Sequence, residues 1–213
     1  MGRKLKALSV GEAKEAVHVI EQSLGQIIEM IEVKSRQRSA TTLVAIDGCG
    51  GSGKSTLATA LARSLENADV VNCDYVGANP SLTEWRHRLV RQVIEPLLDG
   101  RRARYSRYEW RSGKHLGCVE VEPGGVVIVE GVSTLHSDLY AYWDVTIWIE
   151  CPRELRLARG VDRDGEEMRS TWVDKWMPEE DSYVASEQPQ MNADLIFHSS
   201  EVELTTTQPK RPE

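Results

Sequence analysis

The sequence predicts an α/β protein whose core is a mostly parallel sheet with helices on both faces. Five short apolar segments rich in β-branched residues alternate with segments of helical periodicity. Apolar strands that alternate with helices are typical of parallel sheets, in which both faces are covered. With 213 residues, 40% of them apolar and 28% charged, the chain is long enough for one such domain.

The five strands are predicted at "TTLVAID" (41–47), "ADVVNCD" (68–74), "GGVVIVEG" (124–131), "VTIWIEC" (145–151) and "ADLIF" (193–197). Helices are predicted between them at "STLATALARSL" (55–65), "TEWRHRLVRQVIEPLL" (83–98), "PRELRLARGVDR" (152–163) and "EEMRSTWVDKWMPEEDSYVA" (166–185). Proline is favoured at the first position of a helix, which fits Pro152, whereas Pro178 lies inside the last predicted helix.

A further amphipathic helix is predicted over residues 10–33, ahead of the first strand. Its apolar residues recur at helical spacing and its opposite face is polar. Ser9, with Glu12 three residues later, is typical of a helix start. Two interpretations are open: the helix packs on the domain core, or it forms the contact of a homodimer or higher homo-oligomer. Residues 34–40 are predicted to be a short linker.

Charge and cysteine content favour a cytoplasmic protein with a small-molecule partner. The formal net charge is −7 at pH 7, which lowers the expectation of a nucleic-acid partner. No apolar run approaches the length of a membrane span, so no membrane partner is expected. The four cysteines are scattered without metal-ligand spacing, and we expect reduced thiols.

The stretch "IDGCGGSGKST" (46–56) carries the most specific signal in the chain. Its residues 48–55 match G-x-x-x-x-G-K-[ST] between a predicted strand and a predicted helix, which is the context of a P-loop. The amides of such a loop and the following helix N-terminus form an anion site. The residues predicted to hold the phosphates of a nucleoside triphosphate are Gly48, Cys49, Gly50, Gly51, Ser52, Gly53, Lys54, Ser55 and Thr56. Lys54 would reach the β- and γ-phosphates, and the Ser55 hydroxyl would bind Mg²⁺.

Two carboxylates follow the second and third predicted strands. They are Asp74 in "VNCD" and Glu130 in "VVIVEG". In an open α/β sheet the carboxyl ends of the strands face the ligand crevice. We therefore expect Asp74 and Glu130 to converge on the phosphates, where each is a candidate for Mg²⁺ binding.

Five segments in one order resemble the uridine kinase and phosphoribulokinase group of P-loop kinases. They are "IDGCGGSGKST", "NCDY", "RYEW", "VVIVEG" and "RELRLARGVDRDG…WMPEEDSYV…ADLIF", which together span about residues 41–198. The resemblance is strongest to the bacterial uridine-kinase-like branch. It implies a P-loop NTPase fold of the nucleoside and nucleotide kinase type, with a five-stranded parallel sheet and an N-terminal extra helix here. It also implies ATP and Mg²⁺ as cofactors and transfer of the γ-phosphate to an alcohol group.

The resemblance assigns the domain organisation and several roles. Residues 1–40 would be an N-terminal helical extension, 41–200 the kinase domain with a lid at about 153–180, and 201–213 a tail. Asp74 matches the family's aspartate that activates the acceptor hydroxyl. Glu130 matches an acidic residue that reaches Mg²⁺ or the acceptor. Lys54, Arg159 and Arg163 complete the predicted catalytic set, because lid arginines of the family cover the phosphates.

The acceptor pocket is less clearly marked. By resemblance Tyr108 and Trp110 line it, with Tyr75 and His115 as further candidates. The longer segment of uridine kinases that contains "Phe-Asp-His-Pro" is missing after Asp74, where "YVGANPSLTEWRHRL" follows instead. The sequence therefore predicts a phosphotransferase with an alcohol group as acceptor, and a uridine- or cytidine-like nucleoside is the leading candidate.

Other functions stay open at this point. A kinase could act on a non-nucleoside metabolite, a sugar or an antibiotic hydroxyl. A nucleotide-binding regulator without turnover would carry the same loop. An NTPase acting on nucleic acid or on another protein would need a basic face or further domains, and the sequence has neither.

Overall fold

The computed structural model describes residues 24–37, 40–76, 82–109 and 113–199. The strands are β1 (Thr42–Asp47), β2 (Ala68–Asn72), β3 (Ala103–Glu109), β4 (Lys114–Val121), β5 (Val126–Glu130), β6 (Val145–Glu150) and β7 (Leu195–His198). Five of them form one parallel sheet in the order β2-β5-β1-β6-β7. The five predicted strands are confirmed. Their order places the carboxyl ends of β1, β2 and β5 side by side.

The helices cover both faces of this sheet. They are α1 (24–36), α2 (Lys54–Ser64), α3 (Cys73–Val76), α4 (Leu82–Leu89), α5 (Glu95–Leu98), α6 (Arg153–Asp164), α7 (Arg169–Thr171), α8 (Met177–Glu187) and α9 (Pro189–Asn192). A π-helical turn, Val90–Ile94, joins α4 to α5, so the predicted helix over 83–98 is one continuous helical segment.

The predicted helix over 166–185 is divided into shorter pieces. A 3₁₀ turn at Glu166–Met168 follows Gly165, α7 and a π-helical turn at Trp172–Trp176 come next, and α8 completes the segment. The backbone stays helical from Arg169 to the end of α8, since the residues at each junction have right-handed helical angles. Pro178 therefore lies inside a continuous helical segment, as predicted, directly after the π-helical turn.

The described part of the N-terminal helix packs on the domain core. Ile27 and Ile31 of α1 are fully buried in the apolar layer that also contains residues of β1 and α2. The helix extends to residue 36, so the prediction of a linker from residue 34 is wrong. An ion pair between Arg36 and Glu32, one helical turn apart, stabilises this last turn. The part of the prediction that covers residues 10–23 lies outside the described residues.

The hairpin formed by β3 and β4 was missed by the sequence interpretation. The two strands pair antiparallel, with a register shift between Ser106 and Tyr108. Ala103 and Tyr105 are buried in the layer that also holds Cys73 and Val76, so the hairpin packs beside α3. Within the described ranges no helix is long and apolar enough to cross a membrane.

Candidate active site

The loop between β1 and α2 has the backbone of an anion cradle. Gly51 and Gly53 have φ angles of +76° and +102°, a region that other residues adopt at a cost. A β-carbon on Gly51 would also overlap the main-chain oxygen of Arg156. Helix α2 begins at Lys54 without a side-chain cap on its first N–H groups, which leaves these donors to a ligand.

Lys54 is a buried cation inside this loop. Its side chain donates hydrogen bonds from Nζ to the carbonyl oxygens of Gly48 at 2.8 Å and Cys49 at 3.1 Å. Lys54 is only 9% exposed. No carboxylate of the described residues lies within ion-pair distance of Nζ. Because a buried charge is costly unless an opposite charge accompanies it, the loop is suited to an anionic ligand.

Cys49 carries a thiol in the phosphate-binding loop, but its surroundings do not favour the reactive thiolate form. Burial raises the pKa of its thiol to about 12, although the positive charge of Arg156 acts against this shift. The thiol is therefore protonated at neutral pH and only 7% exposed. We assign Cys49 to packing, and its contribution to the loop is its main chain.

Ser55, Glu130 and Asn72 form a hydrogen-bonded group at the carboxyl ends of β2 and β5. The Ser55 hydroxyl donates to Glu130 Oε1 at 2.9 Å, and the side-chain amide of Asn72 donates to the same oxygen. The backbone N–H of Asp74 donates to Asn72 Oδ1 at 2.8 Å. Asp74 is thereby fixed at the same edge of the sheet as Glu130, as the sequence predicts.

The chemistry of this group fits Mg²⁺. A hydroxyl and a carboxylate are oxygen ligands, and Mg²⁺ in phosphate sites uses one or two carboxylates together with phosphate oxygens and water. Among the described residues no cluster of three or more His, Cys, Asp or Glu side chains forms a metal cage. Burial raises the pKa of Glu130, while the charge of Lys54 and the hydrogen bond from Ser55 oppose the shift.

Asp47 is a buried carboxylate that the sequence interpretation did not single out. Its Oδ1 accepts the N–H groups of Gly48 at 2.6 Å and Ser133 at 3.0 Å. Its Oδ2 accepts the N–H of Leu135 at 2.8 Å and the hydroxyl of Tyr183 at 2.6 Å. Burial raises the pKa of Asp47, and these hydrogen bonds act against the shift. One side chain thus joins the start of the loop, the turn after β5, and α8.

The segment predicted as a lid lies against the loop. The indole of Trp172 occupies the space next to Gly50 and Gly160, so that a β-carbon on either glycine would overlap it. Trp172 is 2% exposed and donates from Nε1 to Asp164 Oδ2 at 3.1 Å.

The two predicted lid arginines have different surroundings. Arg159 donates to the Ser199 hydroxyl at 2.8 Å, and Ser199 is the described residue nearest to a β-carbon placed on Gly53. Arg163 donates to both oxygens of Asp164, and this hydrogen bonding raises its pKa. The charges of Asp74 and Glu130 raise the pKa of Arg163 further.

Two of the six predicted acceptor-binding residues, Tyr108 and His115, contact each other. Tyr108 on β3 and His115 on β4 face each other in the hairpin register, with ring centroids 5.4 Å apart in an edge-to-face arrangement. His115 Nδ1 also lies 2.7 Å from the Ser106 hydroxyl. The side chain of Tyr75 and all of Trp110 lie outside what the structure describes.

A family profile and two uridine kinases match the sequence of this chain. A family profile described as "AAA domain" matches residues 44–188. A uridine kinase of Macrococcus caseolyticus is 29% identical over 154 residues, which cover 62% of this chain and 73% of that protein. A uridine kinase of Staphylococcus epidermidis is 27% identical over 149 residues, which cover 62% and 72%.

Solved structures extend the likeness to the fold. A possible uridine kinase from Bacillus stearothermophilus superposes with a TM-score of 0.57 at 17% identity, covering 81% of this chain and 99% of that one. A putative fructose transport system kinase from Silicibacter sp. TM1040 has a TM-score of 0.57 at 25% identity, covering 82% and 98%. The match over residues 44–188 shows that the chain belongs to the family described as AAA domain, and the uridine kinases and kinase structures named above are proteins to which it is similar.

Proposed function

We propose that this protein transfers the γ-phosphate of ATP, bound with Mg²⁺, to a hydroxyl group of a small molecule, with a nucleoside as the leading acceptor class. The observation that carries the proposal is Lys54, a buried cation in a glycine loop with carbonyl groups as its only described partners. A triphosphate supplies the anion that this environment lacks. The uridine kinase relatives favour a nucleoside as the acceptor.

The loop and the β5 edge would hold the nucleotide and its metal. Amides of the loop and of the first turn of α2 would bind the phosphates, with Lys54 on the β- and γ-phosphates. Ser55 and Glu130 would hold Mg²⁺, which when bound neutralises phosphate charge. Because Ser55 and Glu130 are already joined at 2.9 Å, their oxygens are positioned before the ligand arrives.

Asp74 would orient the acceptor and take up its proton. The acceptor oxygen forms a bond to the γ-phosphorus while the bond between that phosphorus and the β–γ bridging oxygen breaks. ADP leaves, and the hydroxyl proton passes to the Asp74 carboxylate. Arg163, whose pKa is raised in part by the charges of Asp74 and Glu130, would spread charge from the transferring group, and Arg159 would bind the nucleotide from the Gly53 side.

A sugar is a second acceptor candidate. The Silicibacter neighbour, described as a putative fructose transport system kinase, covers nearly all of its own length in the superposition and is 25% identical. The missing segment after Asp74, which uridine kinases carry, agrees with an acceptor other than uridine. Both acceptor classes present an alcohol group, so the roles proposed for Lys54, Glu130 and Asp74 are the same.

A screen of acceptors tests the proposal. Purified protein is incubated with Mg²⁺ and ATP against a panel of nucleosides and sugars, and ADP release is followed by a coupled assay. We expect release well above the acceptor-free rate with one chemical class. An unchanged rate across the panel, or turnover that is equal without any acceptor, would count against a small-molecule kinase.

A further inference from the structure

Glu180 connects the lid segment to the phosphate-binding loop by two hydrogen bonds. Its Oε1 accepts the backbone N–H of Gly50 at 2.7 Å, and its Oε2 accepts Nη1 of Arg156 at 3.0 Å. The side chains of Glu180 and Arg156 are 10% and 8% exposed. Glu180 is separated from Gly50 by 130 positions in the chain, and it reaches the loop because α8 folds back over it.

The orientation of one peptide plane shows on which side of the loop Glu180 lies. The carbonyl of Cys49 accepts hydrogen bonds from Lys54 Nζ and from the N–H of Ser52, both at 3.1 Å. The described peptides include no cis bond, and in a trans peptide the C=O and the following N–H point in opposite directions. The Gly50 N–H therefore points away from Lys54, and Glu180 binds the loop from outside the phosphate cradle.

We propose that Glu180 is a positioning residue for Lys54. By accepting the Gly50 N–H, it holds the Cys49–Gly50 peptide in the orientation that turns the carbonyl toward the ammonium group. If this acceptor were removed, the partly buried N–H would be left unpaired, and we expect the peptide to rearrange to satisfy it. Lys54 would then lose one of its two carbonyl partners. The inference rests on the proposed binding of a nucleotide by this loop.

Trp172 and Arg156 surround the hydrogen bond between the Gly50 N–H and Glu180. Trp172 covers Gly50, and a β-carbon on that glycine would lie 2.7 Å from the indole and 2.8 Å from Glu180 Oε1. Arg156 fixes the other oxygen of Glu180, so the carboxylate is held from both sides. In a partly buried site an unsatisfied hydrogen-bonding group is costly.

The test distinguishes three effects of replacing Glu180: loss of the oxygen that accepts the Gly50 N–H, loss of the negative charge, and loss of folding stability. ADP affinity is measured by calorimetry, without any acceptor, for the wild type, Glu180→Gln, Glu180→Leu and the control Glu179→Gln. Glutamine keeps an oxygen that can accept the Gly50 N–H, whereas leucine has none. Glu179 is exposed one position earlier on α8. Thermal unfolding of each variant gives its folded fraction, and the ADP affinity is calculated for the folded protein only.

We expect Glu180→Leu to weaken ADP binding about ten- to a hundredfold, the range for losing a hydrogen bond to a charged group. Glu180→Gln should stay within about threefold of the wild type, since it retains an accepting oxygen, even though losing the pair with Arg156 lowers its melting temperature. Glu179→Gln should change neither quantity. Equal ADP affinity in Glu180→Leu, or an equal loss in the glutamine and leucine variants, would overturn the assignment.

A second variant covers the case in which Glu180→Leu does not fold. In Arg156→Met/Glu180→Met, both buried charges are replaced by side chains of similar length, a change that proteins often tolerate. It also lacks an oxygen that could accept the Gly50 N–H, and a thioether sulfur is only a weak acceptor, so a similar loss of ADP affinity is expected and unchanged affinity would contradict the assignment. If the wild type does not bind ADP, the proposed function fails. If the wild type binds ADP and the variants bind it equally well, only the role assigned to Glu180 fails.

Discussion

The Tyr183 hydroxyl donates a 2.6 Å hydrogen bond to Asp47 Oδ2, which joins α8 to the end of the strand that leads into the phosphate-binding loop. Asp47 accepts three backbone N–H groups as well, so its four hydrogen bonds link three segments of the crevice. Burial raises the pKa of Tyr183, and the charge of Asp47 acts in the same direction, so the phenol is a hydrogen-bond donor at neutral pH. The crevice is therefore held by a carboxylate that takes no part in the proposed chemistry.

Replacing Tyr183 by phenylalanine should destabilise the protein. The change leaves a buried carboxylate with one hydrogen bond fewer, and we expect a loss of about 1–3 kcal/mol in the free energy of unfolding. Urea unfolding measures this quantity. Tyr142→Phe is the matched control, because Tyr142 packs against the core and its hydroxyl has no hydrogen-bond partner among the described residues. Similar losses in both variants would show that the hydroxyl of Tyr183 contributes nothing specific.

Replacing Lys54 by methionine should separate binding from stability. Turnover should fall about 10²-fold or more, since a preorganised donor to the phosphates is lost. Among the described residues no carboxylate lies within ion-pair distance of Nζ, so we expect only a small change in melting temperature, in which removal of a costly buried charge offsets loss of the Lys54 charge near Asp47 and Glu130. Thermal unfolding and nucleotide titration measure the two effects. Lys34→Met, on the exposed surface of α1, is the control. Undiminished ATP binding in Lys54→Met would contradict the anion site.

Replacing Asp74 by asparagine should lower turnover while leaving nucleotide affinity nearly intact. General-base assistance of this kind contributes about 10²- to 10⁴-fold, and the asparagine side chain cannot accept the proton. Steady-state kinetics with the acceptor found in the screen give kcat and the KM for ATP separately. Asp69→Asn, at an exposed position of β2, serves as the control. If turnover survives in Asp74→Asn, another group accepts the proton.

As the pH is lowered, Mg²⁺-dependent nucleotide binding should begin to weaken at a higher pH than it would if Glu130 had the pKa of an ordinary glutamate. Burial raises the pKa of Glu130 above 4.5, and only its carboxylate form would hold the cation. The gain in ADP affinity on adding Mg²⁺ should therefore fall as the pH drops through a midpoint above 4.5. Glu130→Gln should lack this component and keep only the titration of the nucleotide itself. Identical pH profiles in both proteins would remove Glu130 from the metal site.

The raised pKa of Glu130 affects folding stability in the opposite direction: it favours the folded protein at low pH, where Mg²⁺ binding is weakened. The folded state holds the Glu130 proton more tightly than the unfolded chain does, so this group stabilises the protein fully below pH 4.5. That contribution is lost as the pH rises through the folded-state pKa. The carboxylate thus costs stability at neutral pH, as expected of a residue placed for a ligand.

The sheet and the phosphate-binding loop could be predicted because their signals are local. β5 is an apolar run closed by glycines, and the spacing of Gly48, Gly53, Lys54 and Ser55 is contained in eight residues. The hairpin also had a local signal that the interpretation passed over. Buried Ala103 and Tyr105 alternate with exposed Arg104 and Ser106, which is the period of a half-buried strand.

The contacts of α8 with the loop could not be predicted, since their partners are far apart in the chain. Asp47 and Tyr183 are separated by 136 positions, and Gly50 and Glu180 by 130. No periodicity or spacing encodes such pairs, and an acidic residue on a helix is usually a solvated one. Only the packing of Trp172 and α8 against the loop makes Glu180 buried and gives it a role.

The most direct test of the central claim follows the phosphorus atoms themselves. The wild-type protein is incubated with ATP, Mg²⁺ and the acceptor found in the screen, and ³¹P NMR spectra are recorded over time. We predict that the γ-phosphate signal is replaced, mole for mole, by a phosphomonoester signal on the acceptor, and that Lys54→Met shows neither change. Conversion of the γ-phosphate to inorganic phosphate alone would contradict the assignment as a small-molecule kinase.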